Sequence, residues 1–158
     1  MTWLSVMFGK AKPRFFAADG RHADAIALLH GHSFQRGWSE EEVHALLSDP
    51  AVLAHAATLK SRFAGFILSR KAADEAEILS IAVDKARRRC GIGHGLLNLH
   101  LRTLAGAGVR AVFLEVDESN HAALRLYRRA GFRQVGKRPN YYPQHGGRPA
   151  LVLRRDLV

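Results

Sequence analysis

The segment from Ala76 to Gly95, A-E-I-L-S-I-A-V-D-K-A-R-R-R-C-G-I-G-H-G, leaves this chain few folds to choose from. Its apolar run, Ile78–Val83, reads as a buried strand. A basic turn follows, Lys85–Arg89, and Gly91 and Gly93 then lead into an apolar-periodic stretch, Ile92–Leu104, that reads as a helix. A strand, a basic glycine turn and a helix N-terminus suit a phosphate-bearing ligand. Glycines let backbone N–H groups approach an anion, and the first helical turn offers free donors at the positive end of its dipole. Neighbouring arginines add charge. The spacing is not that of the common nucleotide motifs. No Gly-Lys-Ser/Thr follows, and Gly95 falls one position too early for G-x-G-x-x-G. An ordinary strand-to-helix turn uses the same residue types, so the local pattern leaves both readings open.

At 158 residues the chain is expected to form one domain over residues 13–158, preceded by an extension, residues 1–12. That extension is apolar before it is basic, the reverse of a secretory signal. No apolar run reaches the ~18–20 residues of a membrane span. One cysteine, Cys90, excludes an internal disulfide and fits a reducing compartment, so a cytoplasmic protein is expected. The net charge of +10 favours acidic partners. The arginines are spread out, without the aromatic-interleaved stripe of a single-strand binder. Direct nucleic-acid binding is therefore not expected. Nor is a metal site: His30 and His32 are the closest histidine pair, and no His-Glu-x-x-His occurs.

Alternation and punctuation give the rest. Strands are expected at Phe15–Ala18, Val52–Leu59, Phe63–Ser69, Ala111–Asp117, Phe132–Val135 and Ala150–Leu153. Helices are expected at Asp24–His30, ending near Gly31; at Glu40–Leu47, opened by a Ser39/Glu42 capping box with a Trp38/Val43 staple; and from Ser119-Asn120 to Ala130, closed by Gly131. A long loop is expected over Gly136–Pro149. The unit around residues 78–117 needs two parallel strands joined by a helix, within a mostly antiparallel sheet.

A second constellation follows the parallel strand. Period-two alternation puts Phe113, Glu115 and Asp117 on one face, with Glu115 as a mid-strand carboxylate. It is either a solvated sheet residue or a general base. Asn120 and Tyr127 lie two helical turns apart on one side, with small Ala123 between. They read as a helix cap plus a core tyrosine, or as a ligand-binding amide plus a proton donor.

Taken together, I-A-V-D-x-x-x-R-R-x-G-I-G-x-x-L-L and L-E-V-x-x-S-N-x-A-A-L-x-L-Y-x-x-x-G-F resemble the GCN5-related N-acetyltransferases. The chain is most similar to their ribosomal-protein-alanine branch. Arg138-Pro-Asn-Tyr141-Tyr142-Pro143, Gly147-Arg148-x-Ala150-Leu-Val and Phe34…Trp38-Ser39-Glu40 carry that narrower likeness. The resemblance implies an α/β (α+β) fold: a mixed, mostly antiparallel central sheet, helices on both faces, and a β-α-β core that binds acetyl-CoA. It implies acetyl-CoA as cosubstrate. Ile81, Ala82 and Val83 would pair with its pantetheine amides, and Arg88, Arg89, Cys90, Gly91, Ile92, Gly93 and His94 would hold its pyrophosphate. Asn120 would contact it as well. Glu115 matches the general base, Tyr127 the general acid, and Tyr141 and Tyr142 a loop lining the peptide groove. The chain departs from the pattern at Asp117, Glu118 and Pro149, and at His94-Gly95, where Arg-Ala is commoner.

The implied reaction is direct acetyl transfer to a protein's N-terminal α-amino group, with a ribosomal-protein alanine as first candidate. The same fold acetylates lysines and small-molecule amines, which stands as the alternative. A basic ribosome- or RNA-binding module without catalysis is a further one, against which the intact Glu115, Asn120 and Tyr127 argue.

Overall fold

A computed structural model of the chain describes residues 11–142 and 147–157, with residues 140–142 described by their backbone alone. In chain order the elements are β1 (Arg14–Ala17), α1 (Ala23–Ser33), α2 (Glu40–Ser48), β2 (Val52–Leu59), β3 (Arg62–Ala72), β4 (Glu75–Val83), α3 (Ile92–Gly106), β5 (Ala111–Asp117), α4 (His121–Arg129), β6 (Arg133–Tyr142) and β7 (Arg148–Asp156). The strands form one seven-stranded sheet in the order β1-β2-β3-β4-β5-β7-β6. Every neighbouring pair is antiparallel except β4 and β5. α3 is the crossover between those two strands, so the β-α-β unit stands as the sequence implied.

Two apolar clusters put helices on both faces. One joins Leu96, Leu97, Leu101 and Leu104 of α3 and Leu124 and Tyr127 of α4 to Ile67, Ile78, Val112, Leu114 and Leu153 of the sheet. The other joins Ala23, Ile26 and Leu29 of α1 and Val43 of α2 to Ala54, Phe66, Leu68 and Ala82. α2 starts at the expected capping box: Ser39 Oγ accepts from Glu42 N at 3.1 Å, and Glu42 Oε2 accepts from Ser39 N at 2.8 Å. α3 and α4 both end by turning back on themselves, with Val109 N bonded to Leu104 O and Phe132 N to Tyr127 O.

Two expectations need correction. α1 does not end at Gly31 but continues to Ser33. The α1–α2 connection folds back onto the helix at this point: a Cβ on Gly37 would come within 2.8 Å of Gly31 Cα, so the close approach requires glycine at 37, whereas a Cβ on Gly31 would meet nothing within 4 Å. The expected loop over Gly136–Pro149 is mostly strand. β6 runs to Tyr142 and β7 starts at Arg148. β6 is the outer strand, where Lys137, Arg138 and Pro139 are the residues that protect an exposed sheet edge. Such composition reads as loop in a sequence. A bulge at Val135, between Gln134↔Leu153 and Gly136↔Val152, further hides the alternation.

The core also holds polar groups. His100 of α3 is fully buried, with its Nε2 2.6 Å from Ser69 Oγ of β3 and its Nδ1 2.8 Å from His55 Nδ1 of β2. One Nδ1 must carry the hydrogen that the other accepts, so the contact requires neutral imidazole. On the opposite face His30 stacks on Trp38 with ring centroids 4.0 Å apart, and its Nδ1 accepts from Trp38 N at 3.0 Å. Burial pushes His100 down to about 3 and His30 to about 4, and lowers His55 as well.

These three histidines bind protons readily only when the chain unfolds. Below pH ~6.5 the unfolded state gains protons that the folded state refuses, and stability falls by up to ~1.4 kcal/mol per pH unit for each histidine. The loss continues until the folded-state values are reached. Urea midpoints should therefore drop steeply between pH 7 and pH 5, and His100→Leu should flatten that slope. A midpoint that does not change over this range would show that the buried rings are not neutral.

Candidate active site

β4 and β5 pair over only three positions, Glu75↔Ala111, Ala76↔Val112 and Glu77↔Phe113. Beyond them β4 stays with β3 and β5 with β7, so a wedge opens in the sheet between Ile78–Val83 and Leu114–Asp117. Asp84 N donates to Ala64 O at 2.8 Å. Alternation along β4 then turns the backbone of Ala82 towards β3, and the backbones of Ile81 and Val83 towards the wedge. Two peptide units outside the β3 ladder are what an amide-bearing chain needs in order to lie along a strand.

The glycine turn closes the mouth of this wedge. Asp84 caps a short helical turn, accepting from Ala86 N at 3.0 Å, and also pairs with Arg87. Arg88 lies outside that pair, with its Nε 3.4 Å from Val83 O. Arg88, Arg89 and Cys90 are exposed. Gly91 adopts φ +75°, a left-handed conformation that costs a Cβ-bearing residue ~1–2 kcal/mol, and is the N-cap of α3 without a side-chain cap bond. The first helical bond is Gly95 N to Gly91 O, 2.9 Å. The amides of Ile92, Gly93 and His94 thus head the helix, where an anion is favoured. Gly95 has a contact reason: a Cβ there would fall 2.2 Å from Phe15 Cζ. The β1 ring lies against the first turn of α3 and fixes its start, which accounts for glycine where the resembling family more often has alanine.

Glu115 has a side chain 17% exposed, with Oε1 2.9 Å from Arg138 Nε. It faces away from the α3/α4 cluster, which takes Val112, Leu114 and Val116. Arg138 belongs to β6 and reaches Glu115 over β7, where small Ala150 is register partner to both Arg138 and Asp117. Tyr127 lies on the other face, 5% exposed, its ring edge-on to Phe132 at 5.7 Å. The two candidate proton-transfer groups therefore flank the sheet from opposite sides. Asn120 is the N-cap of α4, its Oδ1 accepting from Ala123 N at 3.2 Å. The departures at Asp117, Glu118 and Pro149 are locally accommodated. Asp117 Oδ1 accepts from Ser119 N and Oγ, whose Oγ accepts from Arg148 Nη1 at 2.7 Å. Glu118 pairs with Lys137 at 3.2 Å, and its N donates to Pro149 O. The backbones of Tyr141 and Tyr142 end β6. Their side chains lie outside the described residues, as do Pro143 and residues 1–10 of the expected extension.

Arg138 and Arg148 are not legible as site residues in the sequence because each acts across strands. Their partners, Glu115 and Ser119, lie 23 and 29 residues away, and only the register brings them together.

A split parallel pair with a basic, uncapped helix start at its mouth defines a coenzyme A-type acyltransferase scaffold, and this chain belongs to the acetyltransferase (GNAT) family, whose model matches residues 23–132. Over 96 residues it is 38% identical to the [ribosomal protein bS18]-alanine N-acetyltransferase of Escherichia coli (strain K12), a stretch that covers 61% of this chain and 65% of that relative. The match thus spans just under two thirds of the relative's length. The crystal structure of the ribosomal-protein-S18-alanine N-acetyltransferase from Escherichia coli has TM-score 0.85 at 28% identity, over 92% of this chain and 94% of that one. Arabidopsis thaliana NAA60 in complex with acetyl-CoA shares the fold, with TM-score 0.81 at 20% identity over 92% and 98% of the two chains.

The Phe15 contact makes a direct prediction. Gly95→Ala should lower stability by ~1–3 kcal/mol through overpacking, and Phe15→Ala should relieve most of that penalty. Strictly additive effects in the double-mutant cycle, read by urea denaturation, would show that the ring and the helix start are not coupled.

Proposed function

We propose that this protein transfers the acetyl group of acetyl-CoA to the N-terminal α-amino group of a protein, with a ribosomal-protein alanine as first candidate. The observation that carries the reading is the wedge between β4 and β5, with anion-binding amides at its mouth and Glu115 and Tyr127 on its two sides. The 38% identity to a ribosomal-protein-alanine N-acetyltransferase supports the choice of acceptor. Such a substrate would place the protein in the cytoplasm.

The residues present suit the cosubstrate. Arg88, Arg89 and the amides of Ile92, Gly93 and His94 hold its pyrophosphate, and Cys90 is a spacer in that turn. Ile81 and Val83 hydrogen-bond the pantetheine amides through their backbones, with Ala82 setting the alternation between them. The Nδ2 group of Asn120 remains to donate to the ligand, since Oδ1 serves the helix. Tyr141 and Tyr142 line the peptide side.

An α-amino group has a pKa of ~7.7–8.0, against ~10.4 for lysine, so its neutral form is abundant at physiological pH. Glu115 takes one N–H proton, directly or through water, as the nitrogen forms its bond to the thioester carbon. Backbone N–H donors along the wedge steady the oxyanion. Tyr127 then gives its O–H proton to sulfur as the C–S bond breaks. Glu115 releases its proton to solvent and Tyr127 regains one, which leaves an amide and a free thiol. Arg138 holds the Glu115 carboxylate in place on the peptide side. Both substrates in one wedge supply much of the rate.

The test is thiol release with a hexapeptide beginning Ala-Arg, its N-terminally blocked twin, and spermidine. The free peptide alone should react. Turnover of the blocked peptide or of spermidine would move the acceptor to lysine or a small amine. Tight coenzyme A binding without turnover of any of the three would overturn the proposed acceptor and favour a binding module. Tyr127→Phe should lower kcat by ~10²–10⁴-fold, the usual worth of a general acid, with coenzyme A affinity unchanged.

A further inference from the structure

β4 carries an irregularity at the point where the wedge begins. Ser69 pairs with Ile78 and Leu68 with Ser80, so Leu79 is an extra residue. A single extra residue reverses the facing of everything after it. Before it, Ala76 and Ile78 pack into the α3/α4 cluster; after it, Ile81 and Val83 do so, while Ala82 enters the α1/α2 cluster. Ser80 therefore faces the α1/α2 side, opposite Leu68 of that same cluster.

Glu115 faces that side too. The parallel ladder pairs 75, 76 and 77 with 111, 112 and 113, an offset that would set residue 79 level with Glu115. The extra residue passes that place to Ser80. The two side chains thus stand on the same face, one on each lip of the wedge. Ser80 is 8% exposed, and among the described residues its Oγ is the buried side-chain polar atom that has no hydrogen-bond partner. A buried hydroxyl without a partner is costly, and such a group calls for a reason. The other polar core groups, His30, His55, Ser69 and His100, all have partners.

We propose that Ser80 is a further acceptor-site residue, whose Oγ accepts a hydrogen bond from the attacking amine. This rests on the proposed function above. A neutral primary amine has two N–H groups and one lone pair. With one N–H directed to Glu115 and the other to Ser80, both bonds are held on the α1/α2 side of the sheet. The lone pair is then aimed through the wedge, towards the Tyr127 side where the thiol leaves. Ser80 transfers no proton; it fixes the direction of attack. A secondary amine has a single N–H, which Glu115 requires, and leaves Ser80 without a donor.

The experiment compares wild type, Ser80→Ala and Ser80→Thr on two hexapeptides that differ only in starting with alanine or N-methylalanine. Ser80→Ala should lower kcat/KM for the alanine peptide by ~10–100-fold, the worth of a hydrogen bond lost inside a site, and leave the slower N-methylalanine peptide unchanged. Ser80→Thr keeps the hydroxyl and should retain the alanine rate. Coenzyme A affinity should not move, and the melting temperature of Ser80→Ala should equal or exceed that of wild type, since an unpaired hydroxyl is removed. Equal losses on both peptides, or no loss on either, would overturn the role of Ser80 while leaving the acetyltransferase reading intact. A wild type that acts on neither peptide nor any free α-amine would overturn both.

Discussion

The site depends on one deficiency in the sheet: β4 and β5 are held together by three residue pairs and then part. Neighbouring antiparallel ladders are far longer, with β5 matched to β7 along its whole length. A parallel pair needs a long crossover, here α3, and the N-terminus of that helix lies at the open mouth of the gap. Opened backbone, helix start and flanking side chains are therefore consequences of one topological choice. The bulge at Leu79 adds to it, because it changes which side chains stand along the gap.

The helix start must then be held in place, and apolar packing alone is poorly directional. Phe15 bears on Gly95 at the first turn, and His100 bonds Ser69 and touches His55 five residues further on. A polar contact inside an apolar cluster tolerates little displacement, since any slip leaves buried groups without partners. Apolar area supplies the adhesion between α3 and the sheet, and these contacts supply its registration. On the other face the stacked His30 and Trp38 tie the α1–α2 connection to α1 in the same manner.

Much of this was legible in the sequence because local rules govern it. The capping box at Ser39 and Glu42, the glycine turn and the alternation along Ala111–Asp117 each follow from residues within one or two turns of one another. Period alone places Glu115 and Tyr127 on their faces but leaves two readings for each, and only the resemblance makes them candidates for proton transfer. What stayed hidden depends on pairing between distant strands. Arg138 meets Glu115 only because β7 lies between β5 and β6. The facing of Ser80 depends on a bulge that has no residue signature: L-S-I-A-V reads the same with or without it. The length of β6 was missed for a different reason. An outer strand is selected for charge and proline, the composition by which loops are recognised.

That outer strand limits how an extended chain could add to the sheet. Many domains bind extended peptides by adding them to a sheet edge, where main-chain bonds give affinity regardless of sequence. β6 offers a poor template, since Val135 bulges out of its ladder and Pro139 has no N–H to offer. At the other edge β1 is four residues long. A chain arriving at this surface gains little by lying alongside it. Under the proposed function its end would instead enter the gap between β4 and β5, on the side where Glu115 stands. Under that reading the edges would bias recognition from side-on to end-on, a discrimination made by the sheet before any contact with a particular residue.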